Sequence, residues 1–240
     1  MVFHSPVVSL RGVRKSFGGK VVLDGVDLRL EAGWSVCVCG VNGAGKSTLL
    51  KLVAGLLRPD AGSMRLCGSD IGSGGDAARA GLGAVLHEPM VYADLTVLEN
   101  LRFFAGLYAA GRAESRIDEL IDRLQLAPYR FDRAAVLSRG LLQRLAIARA
   151  LVHEPAVLVA DEPSTGLDAE ASGILLSILE GFTAAGGAVL MATHDVEFGI
   201  RCCRKAAVLD GRRICFEKDV CDIDAAAFTR DYLAYARESR

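Results

Sequence analysis

Nine consecutive residues, Gly40-Val41-Asn42-Gly43-Ala44-Gly45-Lys46-Ser47-Thr48, carry the first chemistry that the sequence reveals. They read G-x-x-x-x-G-K-S. Glycines at this spacing let successive backbone N–H groups turn inward around phosphate oxygens, with a helix N-terminus adding partial positive charge. Lys46 would reach the β- and γ-phosphates of a nucleotide, and the Ser47 hydroxyl would take one position on Mg²⁺. A second cluster lies far downstream. Val157-Leu158-Val159-Ala160 runs into two carboxylates, Asp161 and Glu162. Asp161 would hold Mg²⁺, and Glu162 would polarise a water for in-line attack on the γ-phosphate. A cation between Asp161 and the phosphates offsets the repulsion of adjacent carboxylates. His194 ends the next apolar run, Ala188–Thr193. A histidine at a strand end is either incidental or, beside the same sheet edge, a hydrogen-bond donor to the γ-phosphate.

These groups need elements to hold them. Trp34–Cys39 before the loop reads as a buried strand, and Thr48–Leu57 after it as a helix stopped by Pro59. Open α/β sheets place ligands at the carboxyl ends of their strands, where both the loop and Asp161 fall. Upstream, Val7–Arg11, Val21–Leu23 and Val26–Leu30 alternate as three short strands, with Gly18-Gly19 as a hairpin turn. Phe17, just before that turn, reads from this stretch alone as a core or edge aromatic. Gly62–Gly68 reads as a strand, Gly68–Gly75 as a flexible stretch, and Gly81–Leu86 as a strand running into His87-Glu88-Pro89.

From Asp94 the period becomes helical. Thr96 and Glu99 make a capping box. Leu98, Leu101, Phe104, Leu107 and Tyr108 repeat at helical spacing, and a second helix near Ala113–Leu126 puts Ile117, Leu120, Ile121 and Leu124 on one face. A third helix is expected from Ser138 to His153. Helix Ala169–Gly181 follows the two carboxylates, then two strands near 206–209 and 212–216 around Asp210-Gly211, and a short mixed helix from about Asp224. The expectation is one domain over residues 1–240, with a helical subdomain at about 94–153 and a tail at about 219–240.

Composition bounds the rest. The chain has 240 residues, 51% of them hydrophobic and 24% charged, with a net charge of −1. That balance gives no case for nucleic acid or an anionic membrane surface. No run is apolar enough to span a bilayer, and the N-terminus lacks a signal-peptide pattern. The seven cysteines have no C-x-x-C pair and read as reduced thiols in a cytosolic protein.

Together these pieces resemble an ATP-binding cassette (ABC) ATPase, the motor subunit of ABC transporters. The resemblance covers Phe17 to about Cys215. It rests on the phosphate loop Gly40–Thr48, on Leu137-Ser138-Arg139-Gly140-Leu141-Leu142-Gln143-Arg144 as the ABC signature, and on Val157–Asp161 with Glu162 in the catalytic-glutamate place. Ser164–Asp168 matches the D-loop, and His194 the switch histidine. It implies an α/β P-loop NTPase fold with an N-terminal antiparallel β subdomain and a helical insertion. It also implies ATP hydrolysis with Mg²⁺, an adenine-stacking role for Phe17, and a head-to-tail dimer in which Ser138 and Gly140 of one cassette meet ATP bound by the other. The expected partners are a second cassette and a transmembrane permease, with no nucleic acid, on the cytoplasmic face of the inner or plasma membrane.

Two residues depart from the family pattern. Arg139 replaces a signature glycine, which would either strain the loop or bring a cation near the phosphate. His87 takes the place of the Q-loop glutamine, where imidazole suits Mg²⁺ poorly. Leu86–Thr96 and Leu-Ser-Arg-Gly are most similar to the haem-exporter cassette of cytochrome c biogenesis and to cassettes of ABC-2 type exporters. Soluble ABC ATPases of DNA repair fit poorly, because the stretch between Lys46 and Ser138 carries no sustained heptads. Translation-associated ABC proteins carry two cassettes, and this chain has one.

Overall fold

The computed structural model describes residues 6–71, 80–108 and 113–222, with Phe228 and Tyr232 beyond them. β1 (Val8–Phe17) and β2 (Lys20–Leu30) form an antiparallel hairpin closed by Gly18 and Gly19, both at positive φ. The three short strands expected here are therefore two long ones. Gly12 and Gly25 take φ of 58° and 75°, and the pairing shifts register between Leu10 and Val13, Val13 and Lys15, and Lys15 and Ser16. Each shift flips the inside-outside alternation, so a continuous strand reads as broken. β4 (Ala61–Leu66) pairs with β1, and β5 (Ser69–Asp70) with β4, giving a four-stranded sheet β2-β1-β4-β5. Part of the expected Gly68–Gly75 flexible stretch is thus a strand, and residues 72–75 lie outside the described residues.

The second sheet contains β3 (Ser35–Cys39), β6 (Leu82–Val85), β7 (Val157–Asp161), β8 (Ala188–Ala192), β9 (Lys205–Asp210) and β10 (Arg213–Asp219), in the order β10-β9-β3-β8-β7-β6. All its pairings are parallel except β9 with β10. Every residue of β3, β7 and β8 is buried, as covered parallel strands require. Alternation still sorts their side chains. Val36, Val38, Val157, Val159 and Leu190 face a core shared with the small sheet and α1 (Lys46–Val53). Cys37, Cys39, Leu158, Ala160 and Met191 face the other helices.

Those helices are α2 (Val97–Leu107), α3 (Ala113–Arg123), α4 (Arg139–Leu151), α5 (Ala169–Ala184) and α6 (Val196–Cys202). The capping box of α2 is present as expected, and Ile117, Leu120, Ile121 and Leu124 are all buried. α4 is shorter than the helix expected at 138–153, because Ser138 is its N-cap and Val152 its C-cap. α1 ends at Val53, before Leu57, and α5 extends beyond Gly181 to Ala184. The mixed helix expected from Asp224 falls outside the described residues except at Phe228 and Tyr232, which are helical. Among the described residues no helix is long and apolar enough to cross a membrane. None of the seven cysteines is in a disulfide.

Candidate functional site: a phosphate cavity at the carboxyl edge of the parallel sheet

The loop after β3 is shaped by what crowds it. A Cβ on Gly40 would stand 2.6 Å from the Leu209 carbonyl oxygen. Gly45 has φ of 108°, and a Cβ there would stand 2.9 Å from Leu23 Cδ2. Both positions therefore require glycine. Gly45 is the N-cap of α1 and brings no side-chain cap, so the first amides of that helix have no side-chain acceptor. Lys46 is buried, and its Nζ donates to the carbonyls of Gly40 at 2.7 Å and Val41 at 3.3 Å. The loop holds its own lysine over the space that a phosphate would enter.

Asn42, Gly43, Gly45, Lys46, Ser47 and Thr48 share one cavity of about 480 Å³ with His87, Asp161 and Glu162. Val22 of β2 also lines it, a wall that sequence reasoning missed. Asp161 ends β7 and is buried, and its carboxylate has no hydrogen bond or ion pair among the described residues. With the Ser47 hydroxyl in the same cavity it forms a hard-oxygen pair that fits Mg²⁺. No group of three acidic, histidine or cysteine side chains among the described residues could hold a metal alone. A cation held there would take its further ligands from bound phosphates and water.

Glu162 adopts φ of 53°, a left-handed conformation that costs a non-glycine residue about 1–3 kcal/mol. Its N–H donates to the Ala192 carbonyl at 2.8 Å, which locks that conformation to β8. The carboxylate is held at three points. Oε1 accepts from the His194 N–H at 2.9 Å, and Oε2 accepts from the Thr193 hydroxyl at 3.1 Å and lies 2.7 Å from His194 Nδ1. An ionised carboxylate only accepts, so the shared proton sits on Nδ1 and Nε2 points outward. His194 is 69% exposed by side chain and Glu162 24%. The two residues expected from sequence at one sheet edge are thus a hydrogen-bonded pair. Thr193, the third member, gave no sequence signal beyond its place at the strand end.

Other expected residues stand apart. Phe17 is 47% exposed at the end of β1 and does not line the cavity, although the paired strand supplies Val22. Ser138 and Gly140 also lie outside it. Ser138 caps α4, its hydroxyl accepting from the Leu141 N–H at 3.3 Å. Arg139 begins α4 with ordinary helical φ, so replacing a glycine there strains nothing. Its side chain covers Gly166, where an added Cβ would meet Arg139 Nε at 3.1 Å. It also lines a neighbouring cavity of about 380 Å³ with His87, Gln143, Asp161, Glu162 and Thr165. Asp168, at the end of the D-loop stretch, caps α5 through the Ala171 N–H at 2.8 Å.

One contact had no sequence signal at all. The Tyr232 hydroxyl accepts from the Gly40 N–H at 3.2 Å, and burial raises the tyrosine's pKa. Gly40 is thereby held at both ends, by Tyr232 at its amide and by Lys46 at its carbonyl.

A family model described as ABC transporter matches residues 23–165. The chain is 37% identical over 212 residues to Nod factor export ATP-binding protein I of Cupriavidus metallidurans, covering 87% of this chain and 70% of that protein. It is 36% identical over 213 residues to the protein of the same name in Ralstonia nicotianae, covering 88% and 66%. The chain thus spans about two thirds of the length of these curated relatives. Among solved structures, the ATP-binding subunit of an ABC transporter superposes with a TM-score of 0.86 at 26% identity, covering 96% of this chain and 99% of that one. A dimeric ATP-binding cassette in a post-hydrolysis state, bound to ADP and Pi, superposes with a TM-score of 0.80 at 25% identity, covering 89% and 98%. With the phosphate loop, the paired carboxylates and the strand order already described, these matches mean that the chain belongs to the ABC transporter family, as an ABC ATPase cassette.

Proposed function

We propose that this cassette is the ATP-hydrolysing motor of an ABC exporter, working as a head-to-tail pair docked on a membrane permease. One observation carries the pairing. The cavity holds the phosphate loop, Asp161 and Glu162, yet Ser138–Gly140 lie outside it in the same chain. A second cassette would bring its own Ser138–Gly140 over the open side, and the dimeric architecture of the superposed cassette supports this. The names of the curated relatives support export as the direction. The finer assignment to haem export rests on the Leu86–Thr96 and Leu-Ser-Arg-Gly stretches alone.

In this reading Lys46 leaves the Gly40 and Val41 carbonyls for the β- and γ-phosphates. Ser47 and Asp161 hold Mg²⁺, whose charge would offset that building on the phosphates. Glu162 takes the proton of the attacking water, and His194, held by Nδ1, presents Nε2 to the γ-phosphate. Phe17 stacks on adenine from the β1–β2 hairpin. The exposed aromatics Tyr92 (51%), Phe103 (40%) and Tyr108 (40%) form the permease-facing surface. The Tyr92 and Phe103 rings pack edge to face at 4.8 Å, while the half-buried Phe104 packs against the core.

Glu162→Gln tests the assignment. It should lower turnover about 10²–10⁴-fold, the range for losing a positioned general base. By size-exclusion chromatography it should also accumulate an ATP-bound dimer. Wild-type turnover in this variant would remove Glu162 as the base. Purification of the chain with its permease from source membranes, followed by identification of that permease, separates haem export from other export. Recovery of ribosomes or DNA instead would sink the transporter reading.

A further inference from the structure

Beside the permease-facing aromatics lies a groove of about 190 Å³ with apolar walls and a charged floor. Leu56, Met90 and Tyr108 form its rim, 53%, 45% and 40% exposed, with the half-buried Phe104 deeper in. The floor is Arg149 of α4, 8% exposed. Its Nη2 donates to the Ala84 carbonyl, and its guanidinium lies 5.4 Å from the Phe104 ring centroid. Its Nε is buried with no hydrogen-bond partner, and no carboxylate pairs with it among the described residues. Burial lowers its pKa to about 10, which leaves it cationic at neutral pH.

The neighbouring histidine does not neutralise it. His153 stacks on Tyr108 at 3.9 Å, and its Nε2 lies 3.1 Å from the Leu82 carbonyl oxygen. A carbonyl oxygen only accepts, so Nε2 carries the proton and Nδ1 is a buried lone pair without a partner. Burial lowers the pKa of this ring, keeping it neutral. An unpaired buried cation is a standing cost to a fold, and the remedy is an anion brought to it. The groove is open for one. At Leu56 and Met90 it continues into the space lined by His87, Ser47 and Asp161, so an occupant there would touch the loop that leads to the phosphate cavity.

We infer that the permease segment seated in this groove carries an aspartate or glutamate that pairs with Arg149, flanked by apolar residues that meet Leu56, Met90 and Tyr108. The inference rests on the transporter reading and adds the chemistry of the docked segment. The charge pair gives the docking its register, since an apolar segment alone could slide along the aromatic walls.

The experiment uses the membrane-purified complex. Arg149→Lys keeps the cation and adds an amine that a zero-length carbodiimide can couple to a carboxylate in contact with it. Met90→Lys places an amine at the rim and leaves the floor untouched, so it serves if Arg149→Lys does not fold. The expected result is an isopeptide bond, located by mass spectrometry, between an introduced lysine and one permease aspartate or glutamate. Arg149→Gln should lower the permease-bound fraction at least 10-fold with the cassette still folded, while Arg149→Lys retains binding. An assembled complex with no such coupling, wild-type assembly by Arg149→Gln, or a lipid phosphate found at Arg149 would each overturn the inference. If no permease copurifies with the unaltered chain, the transporter reading fails, and this inference with it.

Discussion

The N-termini of α1 and α2 solve the same problem in opposite ways. Every helix begins with amides that lack an intrahelical acceptor. In α2 the chain supplies acceptors itself. The Thr96 hydroxyl takes the Glu99 N–H at 3.1 Å, and the Asp132 and Arg130 carbonyls take the Val97 and Leu98 N–H groups at 3.0 and 3.1 Å. The Glu99 carboxylate adds negative charge to the first turn, and its hydrogen bonds from Thr96 lower its pKa. α1 has Gly45 as its N-cap, no side-chain cap and no acidic residue in its first turn. The same division holds across the other helices. α3, α5 and α6 each have an acid in the first turn, whereas α4, which follows Ser138, has none. Among the six described α-helices, the two ends left without an acidic residue in the first turn are the two that the proposed composite site would turn towards phosphate.

Breaking the comparison at α1 should give the largest effect. Lys46→Ala removes the one cation held in the loop, and turnover should fall about 10²–10³-fold, as for loss of a single donor to developing charge. A steady-state ATPase assay checks this. Gly45→Ala should also abolish nucleotide binding, read by a fluorescent ATP analogue. It forces a Cβ towards Leu23 in a left-handed conformation, which costs about 1–3 kcal/mol of stability by thermal denaturation. At α4, Gly140→Asp would put an acid into a first turn that has none. Monomer nucleotide affinity should hold, but ATP-driven dimerisation, followed by light scattering, should weaken about 10-fold. Phe17→Ala should raise the apparent KM for ATP a few-fold, roughly what one lost stacking contact of about 1 kcal/mol implies. The smallest effect on nucleotide belongs to Thr96→Ala. It removes a cap worth about 1 kcal/mol, seen as a melting-temperature drop of about 2–4 °C, with ATP affinity unchanged. A change in ATP affinity there would dissolve the distinction between self-capped and ligand-capped helix ends.

The contrast also explains what could be read in the chain beforehand. A capping box and a phosphate loop are local, each written within a few residues, so Thr96 with Glu99 and Gly40 through Thr48 were legible. So was the strand that delivers Asp161 and Glu162, because a buried parallel strand reads as an unbroken apolar run. The hairpin turn at Gly18-Gly19 was legible too, but the full length of β1 and β2 was not, since glycines in left-handed conformations at Gly12 and Gly25 erased the alternation that marks a strand. The hold of His194 on Glu162 was half legible: sequence put both at one sheet edge, but the contact depends on the turn geometry at Glu162. Arg149 and Tyr232 were illegible. Nothing local distinguishes an arginine that will find no carboxylate, or a tyrosine that will meet a loop 192 residues away.

The strand order carries a consequence for how such a chain is made. β3 lies between β8 and β9, and Gly40 is tied to Tyr232, so although Val22 and Leu23 are made before the phosphate loop, its other neighbours are translated long after it. At about 5–20 residues per second, the ribosome needs roughly 10–40 s to travel from Gly40 to Tyr232. For most of that interval β8 (Ala188–Ala192) and β9 (Lys205–Asp210) are still to be made. A nascent chain therefore cannot grip ATP early, and nucleotide capture should follow the synthesis of β8 and β9.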